Sequence, residues 1–202
     1  MRNCNKDFFI EILKAENVID AINSNIDSIT EIVPEIATMF NFEHRHPHHH
    51  LNVWKHTLCA LSQAPNNFDI RLSLLLHDIG KPRCYQTDGA IRHFRGHPDK
   101  SANISRRILC RLGFTEDYTR TICNAVRCHD TALYEEDILA NPQLANLVFE
   151  IQKCDALAHN PKYNKKRLQY IEDTTALFKK LSILQEYSIE QGLEDNSSEL
   201  QF

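Results

Sequence analysis

Apolar residues along this chain recur mostly at three- and four-residue spacings, the period of helices that bury one face. Residues 6–23 carry Phe9, Ile12, Leu13, Ile19 and Ile22 in that pattern and predict one helix. A second amphipathic stretch follows Asp27, with Ile29, Ile32, Val33, Ile36, Met39 and Phe40; Pro34 is expected to kink it or to start its regular part. Residues 43–50, Glu-His-Arg-His-Pro-His-His-His, have no apolar period and read as a connector. Helices are predicted over 51–64, closed by Pro65, and over 68–79, closed by Gly80 and Pro82. The helical period fails over 83–95, where Asp88-Gly89 lies between short alternating segments, a β-hairpin signal. His97-Pro98 opens the next helix, which Gly113 ends, and three more are predicted over about 115–130, 142–159 and 163–191. From Gly192 the sequence is acidic and rich in Ser and Asn, which predicts a flexible tail over 192–202.

The same pattern places ionisable side chains on apolar faces. Over 142–160, Leu144, Val148, Ile151 and Asp155 share one helical stripe, so Asp155 faces the core. Over 117–130, Ile122, Ala125, Val126 and His129 do the same, and His56 lies between Val53 and Ala60. His77-Asp78 sits inside the apolar run Leu-Leu-Leu-His-Asp-Ile-Gly-Lys of residues 74–81. A buried imidazole or carboxylate costs several kcal/mol unless something compensates it. One such residue is most simply a hydrogen-bonded core histidine. For His56, His77-Asp78, His97, His129 and Asp155 together, a shared ion is the simpler account.

Composition narrows the class. With 202 residues the chain forms one or at most two domains, and 42% hydrophobic with 25% charged residues is ordinary for a soluble globular protein. Five glycines and seven prolines favour long helices over many-stranded folds. A net charge of −4 without a dense basic run argues against a dedicated duplex nucleic-acid binder but permits small anionic substrates. Seven scattered cysteines without a Cys-x-x-Cys pair suit neither a disulfide framework nor a structural zinc site; they fit a reducing, cytoplasmic setting. The only apolar stretch near the N-terminus is interrupted by charges, so neither a signal peptide nor a membrane span is expected.

The order His56, His77-Asp78, Asp155 resembles the HD superfamily of metal-dependent phosphohydrolases, over roughly residues 48–160. His97 and His129 look like the additional ligands of its two-metal members. His48-His49-His50-Leu-Asn52-Val-Trp54-Lys-His56, then His77-Asp78-Ile-Gly-Lys81-Pro, then Phe94-Arg-Gly96-His97 are similar to the HD domain of bacterial tRNA nucleotidyltransferases. The segment Ile32-Val-Pro34-Glu35-Ile36 resembles what precedes that domain, but no Gly-Ser followed by an Asp-x-Asp stands upstream, so a nucleotidyltransferase domain is not expected here. The Gly-Tyr-Pro signature of the cyclic-dinucleotide-degrading branch is absent after His129, where Asp130-Thr-Ala-Leu-Tyr follows.

The resemblance implies an all-α fold, an HD-domain helical bundle with one short β-hairpin at about 83–95. N-terminal helices over 1–42 would pack on an HD phosphohydrolase domain over 43–191. It implies a first ion held by His56, His77, Asp78 and Asp155 and a second by His97 and His129, with Asp78 bridging. Imidazole and carboxylate donors suit Mn, Fe, Co, Ni or Zn better than Mg. The expected activity is hydrolysis of a small phosphoester, of nucleotide or 2′,3′-cyclic phosphate type, by a metal-activated water. An RNA end is a further possible substrate, and a metal-containing nucleotide- or RNA-binding module without turnover is the alternative. Lys81, three residues past Asp78, is placed to meet a phosphate, and Arg92 and Arg95 flank the hairpin as candidate substrate contacts. Each of these three also reads as a solvated surface cation. His49 or His50 could orient a phosphate, and the tract 44–50 reads equally as adventitious. Neither the substrate, the metal nor the oligomeric state follows from the residues.

Overall fold

A computed structural model describes the backbone of residues 2–197 and the side chains of 5–182. The chain divides into two compact units, Met1–Lys165 and Lys166–Phe202. The first unit runs α1 (Arg2–Lys14), α2 (Val18–Ser24), α3 (Ile26–Ile32), a 3-10 turn (Pro34–Met39), α4 (Val53–Ser62), α5 (Phe68–Leu76), β1 (Gln86–Asp88), β2 (Ile91–His93), α6 (His97–Leu112), α7 (Glu116–Cys128), α8 (Glu135–Ala140) and α9 (Pro142–Ala158). Helix α10 (Lys165–Ser197) makes up nearly all that is described of the second. The fold is an all-α bundle carrying one antiparallel hairpin, in which Gln86 pairs with His93 and Asp88 with Ile91.

Local sequence sets most helix ends. Asn52 accepts from Lys55 N at the start of α4, Asn67 from Asp69 N and Ile70 N at α5, and Asn141 from Leu144 N at α9. Gly113, at φ 83°, ends α6 with Phe114 N donating to Leu109 O at 3.1 Å. Helices α6 and α7 then pack side by side, α4, α5 and α7 all contact α9, and α1 lies on α5 and α6. Leu72, Leu74, Leu75, Leu76, Ile104, Ile108, Ile122, Val126 and Ile151 fill the space between them.

Three boundaries differ from the sequence expectation. The helix predicted over 6–23 is two helices, because the Asn17 side chain accepts from Asp20 N and starts a new one. Helix α8 occupies 135–140, a stretch too short to show a period. Helix α10 continues to Ser197, past Gly192: one glycine inside a helix costs only about 1 kcal/mol and does not end it. Residues 198–202, the rest of the expected tail, lie outside the described residues.

Candidate metal centre

All six metal-ligand candidates converge at one buried point. His56 projects from α4, His77 caps the C-terminus of α5 with Asp78 next to it, His97 opens α6, His129 caps α7, and Asp155 lies in the last turn of α9. Each is more than nine-tenths buried. The Asp78 carboxylate lies between two groups of histidines. Its Oδ2 is 3.3 Å from His77 Nε2 and 3.7 Å from His56 Nε2. Its Oδ1 is 3.3 Å from His97 Nε2 and 3.9 Å from His129 Nε2. Asp155 Oδ1 is 2.8 Å from His56 Nε2 and 3.6 Å from His77 Nε2.

The other ring nitrogens decide what this arrangement can hold. Nδ1 of His56, His77, His97 and His129 faces the carbonyl oxygen of Ala158, Leu74, Phe94 and Val126 at 3.2, 2.6, 3.0 and 2.6 Å. A carbonyl only accepts, so Nδ1 must carry the proton. With Nδ1 protonated, each ring turns Nε2 inward, as in histidines that hold a metal. Lone pair consequently faces lone pair: His97 Nε2 and His129 Nε2 are 3.2 Å apart. His77 Nε2 and Asp78 Oδ1 are buried without a hydrogen-bond partner. A cation between these donors resolves every one of those contacts, so the residues fit a divalent ion in two overlapping sets, His56/His77/Asp78 and Asp78/His97/His129.

The electrostatics agree. Burial opposes charge on Asp78, but His77 and Lys81 outweigh it and hold the carboxyl well below its ordinary range. Burial is likewise outweighed at Asp155 by His159 and His56. Burial disfavours a proton on His77, yet Asp78 and Asp155 push its pKa up to about 10. The two carboxylates thus demand positive charge beside His77 Nε2. His129 is lowered to about 4, first by burial and then by His77 and His97, which keeps it a neutral donor.

The three candidate substrate cations are placed differently. Lys81 is buried, with Nζ 2.7 Å from Asp78 Oδ2 and 3.3 Å from His44 Nε2, so it points into the centre. Arg92 turns away: it donates to Glu43 O at 2.6 Å and its guanidinium lies over the Phe42 and Tyr85 rings, 4.5 and 4.8 Å from their centroids. Arg95 is exposed.

Three further histidines lie at the centre; His44 and His159 escaped the sequence reading, whereas His49 was read there as one of two residues that could orient a phosphate. His44 is buried, donates Nδ1–H to Leu51 O at 2.8 Å, and stacks on His49 with centroids 3.8 Å apart. Burial and then Lys81 lower its pKa to about 2. His49 lies edge-on to His56 at 4.9 Å. His159 is buried, directs Nδ1 to Asp155 O at 2.8 Å and forms a third ligand group with His56 and Asp155. His159 carried a signal too, four residues past Asp155 and directly after the end of α9.

Comparison with known proteins agrees with this geometry: residues 48–159 match the HD domain, a span that takes in every candidate ligand. The chain belongs to the HD domain family. HD domains are generally metal-dependent hydrolases. The chain is 34% identical over 113 residues to the CC-adding tRNA nucleotidyltransferase of Thermus thermophilus, covering 52% of this chain and 25% of that protein. It is 33% identical over 99 residues to the A-adding tRNA nucleotidyltransferase of Deinococcus radiodurans, covering 46% and 23%. The chain spans about a quarter of the length of these relatives. Among the described residues, no helix is long and apolar enough to cross a membrane.

Proposed function

We propose that this HD protein is a metal-dependent phosphohydrolase acting on a small phosphoester, a nucleotide or a 2′,3′-cyclic phosphate. The observation that carries the reading is Asp78, whose two oxygens each meet a different pair of inward-facing Nε2 atoms. His56, His77, Asp78 and Asp155 would hold a first divalent transition ion, and Asp78, His97 and His129 a second. Bound there, such an ion supplies a water of lowered pKa and neutralises charge on the phosphoryl oxygens. The backbone carbonyls of Leu74, Phe94, Val126 and Ala158 fix the ring tautomers, so no histidine has to reorient as charge develops. Lys81 holds Asp78 Oδ2 and adds a fixed cation at the centre, where a phosphoryl oxygen would meet it. Arg95 is a weaker candidate contact at the rim, and the geometry of Arg92 supports a role in fastening the hairpin. Among the described residues, six cysteines stand as free thiols, which suits the reducing cytoplasm.

Asp78→Ala, assayed with Mn, Fe, Co, Ni and Zn on a panel of phosphoesters, should lose at least about a thousandfold in turnover while keeping its helical spectrum. Undiminished turnover would end this reading. The names of the two relatives favour an RNA end as what such a domain meets. Bound metal with no turnover on any phosphoester would instead favour a nucleotide- or RNA-binding module.

A further inference from the structure

We propose that the rings of His46, His48, His93 and Tyr163 form a stacking platform for a nucleobase at the rim of the metal centre. This rests on the phosphohydrolase reading and deepens it: the substrate would be a phosphate carried by a nucleoside. The four rings are linked in space. His46 and His48 stack with centroids 5.1 Å apart and planes 22° from parallel. His93, from strand β2, meets His46 edge-on at 6.0 Å, and Tyr163 meets His48 edge-on at 5.8 Å. Rings that merely packed a loop would be buried. Here Tyr163 is 54% exposed, His48 is exposed and His46 and His93 are half-buried, so ring surface is left facing solvent.

The platform is built before any ligand arrives. Arg45 O accepts from Arg92 N at 3.0 Å, His48 O from Asn160 N at 2.9 Å, Pro47 O from the Asn160 side chain at 3.0 Å, and His46 O from His49 N at 3.0 Å. The loop is thereby held from the hairpin on one side and from the residues after α9 on the other. Arg45 sits at φ 47°, a conformation a non-glycine residue adopts only when its surroundings impose it. Little ordering entropy is left for a ligand to supply.

The platform also continues inward. His46 lies 6.3 Å from His49, and His49 lies 4.9 Å from the candidate ligand His56. His49 thus links the platform to the candidate ligand His56 through ring contacts. Burial first, and then His48, His93 and Lys81, lower the pKa of His46. Stacking is tolerant of base identity, because every base has a π-face.

The test is equilibrium binding to the full chain by titration calorimetry. Its probes are adenosine, AMP, ribose 5-phosphate and a short single-stranded RNA ending in a 3′-phosphorylated adenylate. AMP should bind at least about tenfold more tightly than ribose 5-phosphate. The double variant His48→Ala/Tyr163→Ala should reduce that ratio about tenfold, and Tyr163→Phe, which keeps the ring, should preserve it. Adenosine has no phosphate to hydrolyse, so its binding reports the platform even if the phosphohydrolase reading fails. Tighter binding of the RNA than of AMP, with the same loss in the double variant, assigns the base to an RNA end; equal binding assigns it to a mononucleotide. An unaltered AMP to ribose 5-phosphate ratio in the double variant, or no measurable adenosine binding, would overturn the proposal.

Discussion

A single carboxylate divides the labour of this centre. Asp78 Oδ2 faces His56, His77 and Lys81, whereas Oδ1 faces His97 and His129. If the centre holds two cations, Coulomb attraction in a buried site would favour one on each side of Asp78. His97→Ala and His129→Ala should therefore each reduce bound metal by about one ion per chain, as read by elemental analysis of the untagged protein, while the ion beside His56 and Asp155 stays. Full metal in both variants would leave a one-ion centre of His56, His77, Asp78 and Asp155. Legibility at this scale followed physical cause. Asp155 and His129 were readable because a helix repeats every 3.6 residues and each occupied an apolar position. His44 was not, because the connector 43–50 has no period to break; it is buried by stacking on His49 and bonding to the Leu51 carbonyl. Lys81 was open to two readings, and only the fold of the turn 77–81 aims it inward.

Elements meet around the centre through close contacts that tolerate little change. Gly80 lies against the first turns of α6, where a Cβ would come 2.6 Å from Ser101 N, 2.8 Å from Ser101 Oγ and 2.9 Å from His97 O. Its N–H donates to Ser101 Oγ at 2.9 Å, and the contact holds the Asp78 turn beside His97. Gly80→Ala should cost roughly 1–3 kcal/mol in thermal or denaturant unfolding and weaken the ion on the His97 side first. Ser101→Ala should not rescue it, because the nearest obstructing atom is backbone. The helical hairpin of α6 and α7 and the strands at 86–93 were legible from Gly113 and Asp88-Gly89. Helix α8 was not, since six residues hold too few turns for periodicity to register.

A second contact between elements carries its own pH dependence. Tyr118 of α7 donates its hydroxyl to Asp69 of α5 at 2.6 Å. Burial, and then this hydrogen bond, raise the phenol above its ordinary value. A raised pKa means that the folded state keeps its proton longer than the unfolded chain does. The stabilisation is therefore complete below about pH 10, the unfolded phenol value, and declines as pH rises from there toward the folded value. Tyr118→Phe should cost about 1 kcal/mol at neutral pH and flatten the alkaline limb of the stability curve. An alkaline limb identical in the two proteins would show that Tyr118 ionises as freely folded as unfolded.

At the scale of the whole molecule, the centre joins five helices that share little else in sequence. Helices α4, α5, α6, α7 and α9 each contribute one end of a contact to it, across separations of up to 99 residues. Lys81 already supplies one charge at Asp78, and a further cation among the inward lone pairs and the Asp155 carboxylate would lower their mutual repulsion, so ion binding would add to folding stability. The stabilisation grows as RT ln(1 + [L]/Kd), about 4 kcal/mol when free metal exceeds Kd a thousandfold. At about 2–4 °C per kcal/mol for a chain of this size, a strong chelator should lower Tm by roughly 10 °C, and added Mn or Zn should restore it. The restoration is the discriminating half of the experiment. Asp155→Asn removes one carboxylate, so it should lower the repulsion that chelation exposes and shrink the chelator shift, even where it raises the stability of the metal-free protein. A Tm indifferent to chelator in a preparation that elemental analysis shows to be metal-loaded would mean that hydrophobic packing of α5, α7 and α9 alone holds the bundle. The buried histidines would then be satisfied within the protein, against what their Nδ1 hydrogen bonds require.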